Sequence, residues 1–179
     1  MNKIKKEIDY GCIVQDDIKN IIDCYCRDLG HKYFQHTVFA PIENLSPRQR
    51  GKIYEKIVSY ILDLKGYYCD VPDDTDYDLL VDKNKIEIKG ALSTKGKASP
   101  EAIFNHIGMK KNWDYIIFLC LTGNDKIYMS CYTKEKLFDL NIIRHQQGGN
   151  RSDNDDFMIN GKSSSLLFSQ QETTFVYNL

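Results

Sequence analysis

The chain has 179 residues, with 24 Lys plus Arg against 25 Asp plus Glu for a formal net charge of −1. Apolar residues make up 42% and charged residues 27%, which suits one folded domain with its own core and excludes a globally disordered chain. The near-neutral balance also excludes a protein coated in positive charge, so a nucleic-acid partner would have to be held by a local patch.

In chain order, Ile18, Ile21, Ile22, Tyr25 and Leu29 recur at helical spacing, and Gly30 is a stop signal for that helix. Residues 31–45, with His31, His36 and Pro41, read as a connection with room for a short strand. A second helix starts at Ser46, whose hydroxyl suits the N-cap, with Pro47 at the first helical position. Ile53, Ile57, Ile61 and Leu64 form its apolar stripe, Tyr54 and Val58 widen it, and Gly66 ends it. Tyr67 to Cys69 suits a strand, and Pro72 to Thr75 a turn. Short strands are expected at 76–81 and 85–89, and a third helix from Ser99 to about Lys110. Residues 113–121 form a strongly apolar strand that turns at Gly123-Asn124-Asp125 into a further strand at 126–132. Thr133 can cap a helix over 134–140, residues 145–156 read as a polar loop, and 166–168 and 173–179 suit strands. This order predicts an α/β or α+β domain built on a mixed sheet.

Six cysteines, Cys12, Cys24, Cys26, Cys69, Cys120 and Cys131, lack zinc-site spacing and read as reduced, mostly buried thiols. His31, His36 and His106 show no metal-ligand spacing either, and His145 reads as a loop or structural histidine rather than a catalytic base. No apolar run is long enough for a transmembrane helix, and Met1 to Glu7 lack the apolar stretch of a secretory signal. The expectation is a cytoplasmic protein with no membrane partner.

The informative segment is 76–90. A two-residue turn at Lys83-Asn84 sets Val81 opposite Ile86, Leu79 opposite Ile88 and Asp78 opposite Lys89. One face of the hairpin then carries Leu79, Val81, Ile86 and Ile88, and the other carries Asp78, Leu80, Asp82, Lys85, Glu87 and Lys89. Two carboxylates on one face, Asp78 and Glu87, can hold Mg²⁺. Lys89, projecting the same way, can act on a water or on charge developing at a phosphate. A solvated hairpin face accounts for the same alternation without chemistry. Two features tilt the reading toward chemistry: Asp78 follows an acidic turn, and the preceding helix carries Glu55 beside the open surface of Gly51.

Glu55 in a helix, Asp78, and Glu87-Ile88-Lys89 resemble the core of the PD-(D/E)XK nuclease superfamily, to which many restriction endonucleases belong. The resemblance runs from about residue 46 to 132, roughly half of the chain. It implies an α/β fold with a restriction-endonuclease-like core, a central mixed β-sheet flanked by helices. It also implies a single nuclease domain over 1–179, with 1–45 as an N-terminal helical extension packed on it. Carried over by residue, Asp78 is similar to the metal-binding aspartate, Glu87 to the second acidic ligand, Lys89 to the catalytic lysine and Glu55 to a helix carboxylate used for metal or water. No proline precedes Asp78, and the literal pair is Pro72-Asp73; hairpin geometry favours Asp78, with Asp76 on the same face in reserve. The implied activity is Mg²⁺-dependent hydrolysis of double-stranded DNA by a sequence-specific type II restriction endonuclease. Two cuts in a duplex suit a homodimer. A junction-resolving, repair or phage nuclease shares this chemistry, and a non-catalytic nucleic-acid-binding module would keep only the fold.

Candidate DNA contacts surround this centre. Arg48, Arg50 and Lys52 place positive charge on the first turns of the second helix, as a phosphate-facing edge or a surface cluster. Ser93, Thr94, Lys95 and Lys97 can position backbone phosphates or belong to a plain surface loop. Gln146, Gln147, Asn150 and Arg151 can meet base edges, although a solvated loop explains their polarity as well. Trp113, Tyr115, Phe118 and Tyr128 fit a packed sheet better than a stacking platform for bases.

Overall fold

The structure is a computed structural model that describes residues 10–24, 33–72, 74–146, 156–169 and 174–178. Its helices are α1 (Tyr10–Asp23), α2 (Pro47–Leu64) and α3 (Lys134–Asp139). Its strands are β1 (Cys69–Asp70), β2 (Leu79–Val81), β3 (Asn84–Leu92), β4 (Phe104–Gly108), β5 (Tyr115–Leu121), β6 (Lys126–Tyr132), β7 (Arg144–His145), β8 (Asp156–Ile159) and β9 (Thr174–Asn178). Six of them form a central sheet in the order β1-β2-β3-β5-β6-β9, and three form a smaller sheet in the order β4-β8-β7. In the central sheet β3 and β5 run parallel and the other pairs antiparallel. The mixed sheet flanked by helices is the architecture that the resemblance implied.

α2 forms for local reasons. The Ser46 hydroxyl accepts from the Gln49 N–H, the Gln49 side chain accepts from the Ser46 N–H, and Pro47 opens the helix. Ile53, Ile57 and Ile61 are then buried on the sheet face built by Leu79, Val81, Ile86 and Ile88, and Ile18 and Ile22 of α1 enter the same core. α1 is thereby part of this layer, while Tyr25, Leu29 and Gly30 of the expected first helix lie outside the described residues. The opposite sheet face packs Ile116, Phe118 and Cys120 against Phe104, Trp113, Leu137 and Ile159. Phe104 meets Phe118 edge-on at 5.1 Å. β5 is covered on both faces, which is why its sequence is a continuous apolar run.

Four expectations change. The hairpin turn is Asp82-Lys83 rather than Lys83-Asn84, so Leu79 pairs with Ile86 and Val81 with Asn84. Asp82 and Lys83 adopt φ of 47° and 71°, as the tight turn between twisted strands requires. The deciding contacts are tertiary: the Asp82 N–H donates to the Tyr68 carbonyl, and the Tyr68 N–H donates to the Asp82 carboxylate. The slip is two residues, so each side chain keeps its face. The helix expected over 99–110 is replaced by β4, which pairs with β8 and slips register at His106, where φ is 56°. Residues 166–168 belong to a 3₁₀ helix, Gly161–Phe168, rather than a strand; Ser164 and Leu167, three apart, are both buried. The connection 31–45 contains a 3₁₀ turn at Ala40–Ile42, with no strand among its described residues.

The thiols of Cys69, Cys120 and Cys131 are free, and burial pushes Cys69 and Cys131 up to about 11, which leaves them inert. Cys24 is free and exposed. Among the described residues, no helix is long and apolar enough to cross a membrane.

Candidate active site

β2 ends its pairing at Leu79–Ile86, so beyond that point β3 has, among the described residues, a strand neighbour on its β5 side only. The freed edge needs partners for its backbone donors. Asp78 supplies one: its N–H donates to the Ile86 carbonyl, and its Oδ2 accepts from the Ile88 N–H at 2.8 Å. The carboxylate is therefore fixed where the two strands part. Continuing the observed register by one pair brings Asp78 beside Glu87, not opposite Lys89.

Glu87 is 1% exposed, which is rare for a carboxylate. Lys89 Nζ lies 2.6 Å from its Oε1, and Lys111 Nζ lies 3.6 Å from the same atom. Glu87 Oε2 is buried and finds no hydrogen-bond partner among the described residues. Burial pushes the Glu87 carboxyl above its ordinary range; Lys89 opposes this, the Asp78 charge adds to it, and Lys111 opposes it more weakly. Asp78, Glu87 and Lys89 thus meet at one strand edge.

The carboxylate Oε2 of Glu87 and its repulsive neighbour Asp78 form an all-oxygen pair with an uncompensated acceptor. Such a pair fits Mg²⁺, which takes one or two carboxylates and keeps several waters. Among the described residues, no group of three or more His, Cys, Asp or Glu side chains is gathered as a metal site. Glu55 is accordingly not brought into one ligand set with Asp78 and Glu87. Its Oε2 holds Lys52 Nζ at 2.7 Å, and the lysine amine is raised first by Glu55 and further by the Asp78 charge. Glu55 keeps a cation close to Asp78 instead. The reserve residue Asp76 accepts from the Asn112 N–H at 3.4 Å, and Asp73 lies outside the described residues.

A groove of about 620 Å³ opens beside the strand edge, between the first turns of α2 and strand β4. Lys89, Arg50 and Thr94 border it, and Gly90 forms part of its floor. Gly90 is required there: a Cβ would lie 2.1 Å from Cγ of the buried Tyr54. Of the other expected phosphate contacts, Arg48 and Lys95 are exposed. Lys97 is held by Glu101 at 2.5 Å. Ser93 is a correction: it is buried, and its hydroxyl donates to the Lys97 carbonyl at 2.7 Å, which spends it on the turn. Gln146 is half-buried and bonded to β4, and Gln147, Asn150 and Arg151 lie outside the described residues.

Sequence reasoning missed Lys111. Its stem lies across Gly108, and its carbonyl accepts from Lys134 Nζ, which sits 4.6 Å over the Trp113 ring. No spacing rule links Lys111 to Glu87; the fold alone brings them together.

No protein-family model and no curated protein matches the chain. Solved structures that are similar to it include two endonucleases. One is a bacterial homing endonuclease, 12% identical over 65% of this chain and 77% of that one, with a TM-score of 0.40. The other is a restriction endonuclease in complex with substrate DNA, 12% identical over 93% of this chain and 84% of that one, with a TM-score of 0.49.

Proposed function

We propose that this protein is a Mg²⁺-dependent endonuclease of double-stranded DNA, of the sequence-specific type II restriction kind, working in the cytoplasm as a homodimer. The observation that carries this reading is the meeting of Asp78, Glu87 and Lys89 where β2 leaves β3, with Glu87 Oε2 buried and without a partner among the described residues.

Asp78 and Glu87 would hold Mg²⁺, which when bound supplies an activated water and positive charge toward a phosphodiester. Lys89 orients that water or stabilises charge on the phosphate in the transition state, and Lys111 adds a second cation on the Glu87 side. Arg50 and Thr94 line the path a strand would take past Lys89. The edge of β3 keeps the carboxylates rigid, so little reorganisation accompanies the reaction.

The test is incubation of a supercoiled plasmid of mixed sequence with the protein and Mg²⁺, followed by sequencing of the ends. Discrete cut sites are expected from the wild type and none from Asp78→Ala or Glu87→Ala. Cutting confined to branched or mismatched DNA would move the substrate to junctions or lesions. Undiminished cutting by the two variants would refute the site.

A further inference from the structure

The small sheet β4-β8-β7 borders the groove beside Lys89, and the chemistry above makes no use of its outer face. Its strands alternate. Phe104, Ile107 and Ile159 are buried inward, so Asn105 and Asn160 lie outward and exposed, with Met158 on the same face opposite Arg144. These four side chains line a cavity of about 430 Å³. Asn105 lines the Lys89 groove as well, so the two concavities meet there.

The charge of the joined surface is one-sided. The chain carries 25 Asp plus Glu, yet none is among the described residues that line either concavity, whereas Arg50, Lys89 and Arg144 are. A polyanion is the complement of such a surface. The polar groups are also of the kinds that read bases: an Arg fork suits guanine, an Asn amide suits adenine, and Met158 is an apolar partner for a thymine methyl.

Two other residues that line the cavity are already occupied. Gln146 Oε1 accepts from the His106 N–H at 2.9 Å, where β4 slips register, so Gln146 fixes the bulge. The His145 ring lies 4.5 Å from that of Phe157 and belongs to packing.

We propose that the outer face of β4-β8-β7 enters the major groove and reads base edges, with Arg144 and Asn105 as the direct readers. This rests on the DNA-cleaving reading and names the part of the molecule that confers its sequence preference. The major groove admits a two-stranded antiparallel ribbon, and β7 adds only two residues, Arg144–His145, to the β4-β8 pair.

The test is selection of bound duplexes from a pool with a randomised centre, in Ca²⁺ rather than Mg²⁺, for wild type, Arg144→Ala, Arg144→Lys and Asn105→Ala. Cleavage of the same pool in Mg²⁺ is measured in parallel. Wild type should enrich a motif, and Arg144→Ala and Asn105→Ala should each lose preference by about tenfold or more at particular positions. Arg144→Lys should keep affinity for random duplex but lose the same position as Arg144→Ala, because an ammonium lacks the fork. No motif from wild type, or an unchanged motif from the variants, overturns the proposal. So does an equal loss on all sequences by Arg144→Ala that Arg144→Lys restores, since that marks a phosphate contact. A motif without any cutting would sink the nuclease reading and leave the reading face standing.

Discussion

Replacing Lys89 by methionine removes the ammonium 2.6 Å from Glu87 Oε1 while keeping a long apolar stem. Glu87 is 1% exposed, so water cannot take the place of the lost partner. Breaking a buried ion pair from one side costs about 3–5 kcal/mol. Lys111 remains 3.6 Å from the same oxygen, which puts the expected loss at the low end, about 3 kcal/mol. The loss depends on pH with a definite sign. Burial already raises the Glu87 carboxyl, and removing Lys89 deletes the largest opposing influence, so the folded-state value moves further up. A carboxyl raised on folding contributes stability that is complete below its unfolded value and lost as pH rises through its folded value. Lys89→Met should therefore be more destabilised relative to wild type at about pH 8 than at about pH 5. The double variant Lys89→Met/Glu87→Gln carries neither charge and should return to within about 1 kcal/mol of wild type. Urea unfolding followed by circular dichroism reads this directly, as a midpoint shift of roughly 1–2 M for the single variant. Plasmid cleavage should be absent from both variants, from the double one because Glu87→Gln also alters the carboxylate pair, so recovered stability does not bring back activity. A single variant as stable as wild type at the higher pH, or a penalty the same at both, would refute the reasoning.

Gly90→Ala drives a methyl to 2.1 Å from Tyr54 Cγ, so α2 and β3 must part beside Lys89. A loss of about 1–3 kcal/mol and a fall in cleavage rate are expected, and an unchanged melting temperature would contradict the close packing. Lys111→Gln keeps the stem and removes a charge that lowers the Glu87 carboxyl. Cleavage kcat should fall about tenfold with KM for DNA little changed, and the acidic limb of the pH–rate profile should move to higher pH. Lys111→Arg should restore much of both, and an unmoved limb would remove Lys111 from the site.

Ser46, Pro47 and Gln49 specify the start of α2 within a few residues of chain, and the Ile53-Ile57-Ile61 stripe specifies its buried face. These are local choices, which need no knowledge of the partner. The shared face of Asp78, Glu87 and Lys89 was legible for a related reason: alternation has a period of two, so it survived even a misplaced turn. The turn itself was not legible, because Tyr68, just before β1, selects Asp82-Lys83. At 99–110 a helix-start signal yielded to strand pairing with β8, whose worth depends on residues far along the chain. The unpartnered Oε2 of Glu87, the approach of Lys111 and the outward row of Asn105 and Arg144 belong to the same class. Sequence pattern determines which way a side chain points from its own element; burial and charge pairing arise between elements, and only their packing decides them.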